Sequence, residues 1–101
     1  MYGSPVKSTS GKGNELVISF NKPTKINYAI IKEKIAMGER IRFWKLEGFT
    51  QEGWVEIKSA QSIGHKRIVD FEAEEFSKIR FFVSKCVAKP IIDLFSVGLK
   101  Q

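Results

Sequence analysis

Two charged residues, Glu33 and Arg40, form the sharpest pair of groups in this sequence that could do chemistry. They flank one short connection, so they could meet as an ion pair that closes the loop between them. Alternatively, Arg40 could donate its planar fork of N–H groups to sugar hydroxyls or to a carboxylate on a partner surface. The sequence favours loop closure and leaves the binding role open.

A second candidate lies in the run Ile63-Gly64-His65-Lys66-Arg67-Ile68, which reads as a glycine turn that opens a strand. His65 is the single histidine of the chain, so a cluster of histidine metal ligands is excluded. A lone loop histidine is usually a solvated side chain. The alternative is that His65 and Lys66 contact sugar hydroxyls.

Two tryptophans, Trp44 and Trp54, could stack on the apolar C–H face of a pyranose ring. Both lie within strand patterns, so the sequence favours core packing over stacking. No P-loop, G-x-G-x-x-G, G-x-S-x-G or H-E-x-x-H motif occurs. Cys86 is the single cysteine, which excludes an intrachain disulfide. We therefore predict no catalytic residue in this chain.

Composition and charge narrow the class of protein. A chain of 101 residues with 43% hydrophobic content, including eight Phe, is typical of one folded domain. No apolar run reaches the length of a membrane span. The net charge of +6 comes from Lys and Arg that stand singly between apolar residues. This pattern favours a solvated surface over a nucleic-acid partner, whose footprint would be clustered. The first fourteen residues lack the apolar core of a secretion signal, so the localisation stays unknown.

Alternation of apolar and polar residues dominates the chain and predicts strands. Short strands between turn signals are typical of an all-β fold, here an antiparallel β-sandwich of about seven to eight strands. We expect turns at Asn21-Lys22-Pro23 and Gln51-Glu52-Gly53. Residues 1–14 are predicted to be a flexible leader and residues 15–101 a single β-sandwich domain. The predicted strands lie at about 16–20, 26–33, 40–49, 54–58, 66–71, 79–84 and 90–97.

The apolar residues in phase on these strands predict the core. They are Leu16, Ile18, Phe20, Ile30, Trp44, Leu46, Ile57, Ile68, Phe71, Phe81 and Ile92. If successive strands are antiparallel, connections 34–40, 60–65 and 85–90 lie at one end of the sandwich. Connections 21–25, 51–53 and 72–78 then lie at the other end. The first end is expected to be basic and the second acidic, because Glu52, Glu72, Glu74 and Glu75 fall in the second group.

Several of these features, in this order, resemble the C-terminal β-sandwich domain of α-L-fucosidase-like glycoside hydrolases, a relative of the discoidin (coagulation factor V/VIII type C) modules. The resemblance covers most of the chain, from about Leu16 to Val97. It implies a jelly-roll-like, galactose-binding-domain-like fold with no catalytic role, since the catalytic carboxylates of such enzymes lie in a separate barrel. The features that carry it are Phe20 followed by Lys22-Pro23, then Glu33, Gly38, Arg40, Trp54, the run 63–68, Arg80, Pro90 and Ile92.

The resemblance also implies what the domain contacts. The expected partners are its own catalytic domain and glycans that contain fucose or galactose, and the parent enzyme is expected to be secreted or periplasmic. No cofactor is predicted; the resemblance allows for calcium, but the sequence shows no ligand set. A purely structural module and a basic single-strand nucleic-acid binder of the OB type remain as alternatives. The predicted sugar site, on loops 34–40, 60–66 and 85–90, consists of Glu33, Arg40, His65 and Lys66.

Overall fold

The computed structural model of the chain describes residues 6–34 and 38–100, and these form an all-β fold. No helix occurs in the described residues, and none that could cross a membrane is found among them. The expected antiparallel, sandwich-like fold is confirmed. The six strands are β1 (Lys7–Lys12), β2 (Glu15–Glu33), β3 (Ile41–Thr50), β4 (Gly53–Gln61), β5 (Arg67–Cys86) and β6 (Ile91–Gly98).

The strands pair in the order β1-β6-β2-β5-β3-β4, and every pairing is antiparallel. β3 pairs with the second half of β5, whereas β6 pairs with the second half of β2. The ring of Phe81 on β5 contacts Trp44 on β3 and Phe95 on β6, with centroids 5.7 and 5.8 Å apart. The two ends of the sheet therefore face each other as the layers of a sandwich around these rings.

The prediction that connections interrupt the strands at 21–25 and 72–78 is wrong. Both segments stay in strand conformation and pair with each other, Thr24 opposite Phe76 and Lys25 opposite Glu75. A register shift between Ser19 and Thr24 marks the place where this two-stranded ribbon passes from one layer to the other. We call residues 20–26 and 72–78 the corner. Because β2 and β5 each run through the corner, there are six long strands instead of seven to eight short ones.

The N-terminal segment also differs from expectation. Residues 7–12 of the predicted leader form β1, which pairs along β6 from Lys7 opposite Val97 to Lys12 opposite Ile91. Residues 1–5 of that leader lie outside the described residues. The signal missed here is weak, because Ser, Gly and Lys dominate the segment and are not typical of strands.

Nine of the eleven predicted core residues are buried or partly buried against the core, but the phase is wrong in two places. Ile18, Trp44, Leu46, Phe81 and Ile92 are buried. A further group is partly buried against the core, namely Leu16, Phe20, Ile57 and Phe71.

The two phase errors are in β2 and β5. Ile68 is 38% exposed and its neighbour Val69 is buried, so the assignment of Ile68 to the core is wrong. In β2, Ile30 is only half-buried while Ala29 and Ile31 are fully buried. Tyr28 and Ala29 are adjacent and both fully buried. Both faces of β2 are covered there, so alternation alone does not identify the inward face.

The connections gather at two ends, as predicted from strand direction. At the end that we call the loop end, residues 38–40, 62–66 and 87–90 meet: Val87 N donates to Arg40 O at 2.9 Å and Ser62 N to Arg42 O at 3.2 Å. At the opposite end, which we call the turn end, the hairpin turn 51–52 lies beside the corner, and Pro23, Glu52 and Glu75 line one cleft.

Candidate functional site

The loop end, where the sequence placed a sugar site, is closed by its own hydrogen bonds. Glu33, the last residue of β2, is 2% exposed. Its Oε2 accepts hydrogen bonds from the backbone N–H groups of Arg40, at 2.7 Å, and Ile41, at 3.3 Å. The pair thus closes the loop as the sequence favoured, but the carboxylate binds backbone amides and no ion pair with the guanidinium forms. Glu33 Oε1 has no hydrogen-bond partner among the described residues.

The guanidinium of Arg40 is also engaged within the loop end. Its Nη1 donates to the carbonyl of Lys89 at 2.8 Å, which ties the loop before β3 to the connection before β6. His65 and Lys66 are exposed on the third connection, after Gly64 in a left-handed conformation with φ of 69°. The structure therefore brings Glu33 and Arg40 together, while His65 and Lys66 lie on a separate connection of the same end. Sugar binding by these four residues stays a prediction.

The two tryptophans have opposite environments. Trp44 is 1% exposed, and its Nε1 donates to the carbonyl of Ser62 at 3.2 Å, so its ring offers no face to a ligand. Trp54 on β4 is 38% exposed. The guanidinium of Arg80 lies 4.2 Å from its ring centroid, and the Phe49 ring meets it edge-on at 5.1 Å. Trp44 thus packs in the core, as the sequence favoured, whereas Trp54 lies on the surface.

Arg80 is fixed by two carboxylates as well as by the ring beneath it. Its Nε and Nη2 bind Oε1 of Glu47 at 2.9 and 2.8 Å, and its Nη1 lies 3.4 Å from Oε2 of Glu15. Glu47 and Glu15 stand on the neighbouring strands β3 and β2, on either side of Arg80. A guanidinium held by a ring and two acids has few remaining rotamers, so Arg80 presents a preorganised surface.

Trp54 belongs to a larger apolar surface that we call the outer aromatic face. This is the outward side of β4, β3 and the second half of β5, with the first half of β2 beside it. Cross-strand partners lie on the same side of a sheet, and here Phe49 is opposite both Trp54 and Lys78, and Lys45 is opposite Phe82. The exposed apolar residues of this face are Val17, Phe43, Trp54 and Phe82, each 36–42% exposed.

The sequence did contain a signal for this face. In Trp54-Val55-Glu56-Ile57-Lys58, the tryptophan is in phase with Glu56, and Ile57, out of phase, packs on the core. Likewise, Phe82 is in phase with Arg80. An aromatic residue in phase with charged residues on a strand lies on the solvent side. Sequence reasoning missed it because aromatic residues in strands are usually assigned to the core.

A cleft of about 590 Å³ lies at the turn end, between the hairpin and the corner. The residues that line it are Pro23, Phe49, Thr50, Gln51, Glu52, Glu75 and Ser77. The hairpin is braced by Thr50, whose Oγ1 donates to Gly53 O and accepts from Glu52 N, both at 3.1 Å. Ser77 Oγ on the corner donates to Phe49 O at 3.4 Å, which joins the corner to the hairpin.

Metal binding finds no support in the described part of the chain. Within residues 6–34 and 38–100, no group of three or more His, Cys, Asp or Glu side chains is arranged to hold a metal ion. Calcium also binds backbone carbonyls and amide oxygens, so the calcium that the resemblance allows for stays a prediction.

Comparison with known proteins places this chain beside parts of α-L-fucosidases. No protein-family profile matches it. A rice protein, Putative alpha-L-fucosidase 1 (Oryza sativa subsp. japonica), is 26% identical over 83 residues, which are 82% of this chain and 16% of the rice protein. The crystal structure of a putative alpha-L-fucosidase from Bacteroides thetaiotaomicron VPI-5482 superposes with a TM-score of 0.93 and 37% identity, over 97% of this chain and 23% of that one.

A third relative also matches nearly the whole of this chain. A glycoside hydrolase 29 family member from an unknown rumen bacterium superposes with a TM-score of 0.87 and 31% identity, over 99% of this chain and 20% of that chain. The chain thus spans about a fifth of the length of the relatives that it matches, and it corresponds to a portion of α-L-fucosidases of that size. The discoidin part of the expected resemblance stays a prediction.

Proposed function

We propose that this chain is a non-catalytic C-terminal accessory domain of an α-L-fucosidase-type glycoside hydrolase, and that its outer aromatic face packs on the catalytic domain of that enzyme. The observation that carries the proposal is the outer aromatic face on a chain that matches only a fifth of its relatives. Two supporting steps concern the chemistry of the face and the distribution of its charges.

The chemistry of the outer aromatic face is that of an interface. Contiguous exposed apolar residues mark surfaces that another molecule covers. Aromatic residues and Arg are enriched at the buried centres of protein interfaces, where they contribute most of the binding energy. Trp54 with Arg80 stacked on it provides such a centre. Because Arg80 is already fixed by Glu15 and Glu47, little conformational entropy would be lost on packing.

The charges on this face favour a protein partner over a nucleic acid. Glu15 and Glu47 flank Arg80, so its positive charge is neutralised where a phosphate would have to bind. Single-strand binders combine stacking rings with a groove of uniformly positive charge. The outer aromatic face therefore has the stacking rings of an OB-type binder but not its uniformly positive groove, and this disfavours the OB-type alternative. The purely structural alternative requires the same covered face and is consistent with this proposal, which names no sugar ligand.

Packing can be tested in a chimera in which this chain replaces the matching segment of the Bacteroides thetaiotaomicron relative. Phe82→Ser should lower the unfolding free energy of the isolated chain by about 1 kcal/mol, because the residue is only 36% exposed there. In the chimera, the same substitution should cost about 2 kcal/mol, since a phenyl ring would leave a buried interface. The measurement is urea denaturation of both proteins, with and without the substitution.

Ile68→Ser is the matched control, because Ile68 is as exposed as Phe82 but lies in the first half of β5, outside the outer aromatic face. Its cost should be the same in the isolated chain and in the chimera. Equal costs of Phe82→Ser in the two proteins would mean that the face stays in solvent, and the packing proposal would be wrong.

The non-catalytic part of the proposal has a separate test. The isolated chain should release no nitrophenol from 4-nitrophenyl α-L-fucopyranoside above the rate in buffer. Turnover that persists through purification and disappears on heat unfolding would show that the chain itself carries catalytic groups, and this part of the proposal would be wrong.

A further inference from the structure

We propose that the turn-end cleft is a saccharide-binding site that takes one neutral pyranose unit. The proposal goes beyond packing on a catalytic domain: the cleft lies at the turn end, where Phe49 borders the outer aromatic face. It also differs in place from the sugar site that the sequence predicted.

The size and rigidity of the cleft suit a small ligand. Its volume of about 590 Å³ lies within the range of small-molecule sites in proteins. Two separate chain segments form its walls, the hairpin around Thr50 and the corner around Ser77. The hydrogen bonds of Thr50 within the hairpin and of Ser77 to Phe49 O hold these walls together. A preformed cleft binds with a smaller entropic cost than one that must be ordered.

Phe49 supplies an apolar wall. It is half-buried at the end of β3, where the Trp54 ring meets it edge-on at 5.1 Å. The ammonium group of Lys78 lies 5.6 Å from its ring centroid. These contacts restrict the rotation of the Phe49 ring, and Phe49 is one of the residues that line the cleft. The C–H face of a pyranose packs on such a ring, because both surfaces are apolar.

The polar groups complement sugar hydroxyls. Gln51 and Glu52 come from the turn, and Glu75 comes from the corner, so acceptors stand on both sides of the cleft. In the part of the chain that the structure describes, the Glu52 and Glu75 carboxylates accept no hydrogen bond. A sugar hydroxyl donates to a carboxylate and accepts from the amide of Gln51. Bonds to charged acceptors are the stronger kind, so the two carboxylates would orient the ring.

The charge of the lining excludes other ligand classes. No Lys or Arg is among the residues that line the cleft, and two of the seven are carboxylates. Phosphates and carboxylates would therefore be repelled. A purely apolar ligand would strip water from Glu52 and Glu75 without replacing its hydrogen bonds. A neutral molecule that has both hydroxyls and an apolar face meets both requirements.

The test is a titration of the isotope-labelled chain, followed by amide chemical shifts, with D-galactose and L-fucose up to about 50 mM. We expect saturable shifts at residues 49–53 and 75–78, with a dissociation constant on the order of millimolar, as for a shallow site. Glu75→Gln should raise the dissociation constant about fivefold by removing the charged acceptor. Glu72→Gln, an exposed carboxylate of the corner outside the lining, should leave it unchanged.

Phe49→Leu tests the apolar wall independently. Leucine keeps most of the side-chain volume, so the chain should stay folded, as its amide spectrum will show directly. Loss of the flat ring should raise the dissociation constant about tenfold.

Four results would overturn the proposal. The first is no shift at the highest sugar concentration, and the second is an unchanged dissociation constant in Glu75→Gln. The third is shifts at 38–40, 62–66 and 87–90 that Arg40→Ala abolishes, because this would place the sugar at the loop end. An equally strong response to ethylammonium chloride would identify a cation site and would also overturn it.

Discussion

The two ends of the sandwich use polar side chains in opposite ways. At the loop end, the Glu33 carboxylate accepts from the backbone N–H of Arg40 at 2.7 Å, and the Arg40 guanidinium donates to the backbone carbonyl of Lys89 on a neighbouring connection at 2.8 Å. At the turn end, the backbone is braced by the small hydroxyls of Thr50 and Ser77, and the Glu52 and Glu75 carboxylates line a cleft.

The difference follows from the backbone at each end. The loop end joins three connections, and side chains bind several of its backbone groups: Glu33 accepts from the N–H groups of Arg40 and Ile41, and Arg40 donates to the carbonyl of Lys89. At the turn end, the hairpin is braced by the hydroxyl of Thr50, and the two corner segments pair with each other, Thr24 opposite Phe76 and Lys25 opposite Glu75. The carboxylates of Glu52 and Glu75 at that end therefore remain exposed and can bind a ligand. An end with many charges is thus a binding site only if its backbone does not need those charges.

The largest effect that this comparison predicts is that of Glu33→Ala at the loop end. It should lower the unfolding free energy by about 3 kcal/mol, because two N–H groups lose a charged acceptor and become unsatisfied. The amides of Arg40 and Ile41 should also lose protection from hydrogen exchange. Urea denaturation and amide exchange measure the two effects.

Glu39→Gln is the control for this prediction, since Glu39 is an exposed acid in the same connection. It should change stability by less than about 0.5 kcal/mol. If Glu33→Ala were as mild as this control, the carboxylate would not hold the loop end together, and the contrast between the two ends would fail.

A smaller loss is expected from Gly48→Ala, which alters the scaffold of the turn end. A Cβ at Gly48 would overlap the ring of Phe76, the corner residue that packs on β3. The ring must then move, at a cost of about 2 kcal/mol. Gly11→Ala is the matched control, because its Cβ would meet only the flexible end of Leu16, at 3.0 Å. Equal unfolding free energies for the two variants would contradict the packing of the corner on β3.

The smallest effect is predicted for Arg40→Ala. It removes one hydrogen bond to the exposed carbonyl of Lys89, which water can replace, so the loss should be at most about 1 kcal/mol. Thermal unfolding of Arg40→Ala measures this loss. Lys66→Ala, which removes an exposed side chain of the same end, is the control. A loss as large as that of Glu33→Ala would mean that the guanidinium shares the main role in closing the loop end.

The sequence by itself determined the fold class, the hairpin and the gathering of connections at two ends. Alternating apolar and β-branched residues encode strands locally, and Gly53, with φ of 104°, encodes the hairpin because other residues avoid that conformation. Closure of the loop end by Glu33 could also be predicted from the sequence. The hydrogen-bond partners of the Glu33 carboxylate could not be predicted. Whether it binds a guanidinium or backbone amides depends on distances that are set only in the folded chain.

The corner, the outer aromatic face and the cleft were decided by the tertiary structure. Around Pro23 and Glu74, local signals favour turns, yet pairing between Thr24 and Phe76 keeps both segments extended. Trp54 is exposed because no third layer covers β4 in the described chain, a fact that no local pattern contains. The cleft requires the hairpin and the corner to stand side by side. Contacts between segments far apart in sequence therefore selected the surfaces on which function is proposed.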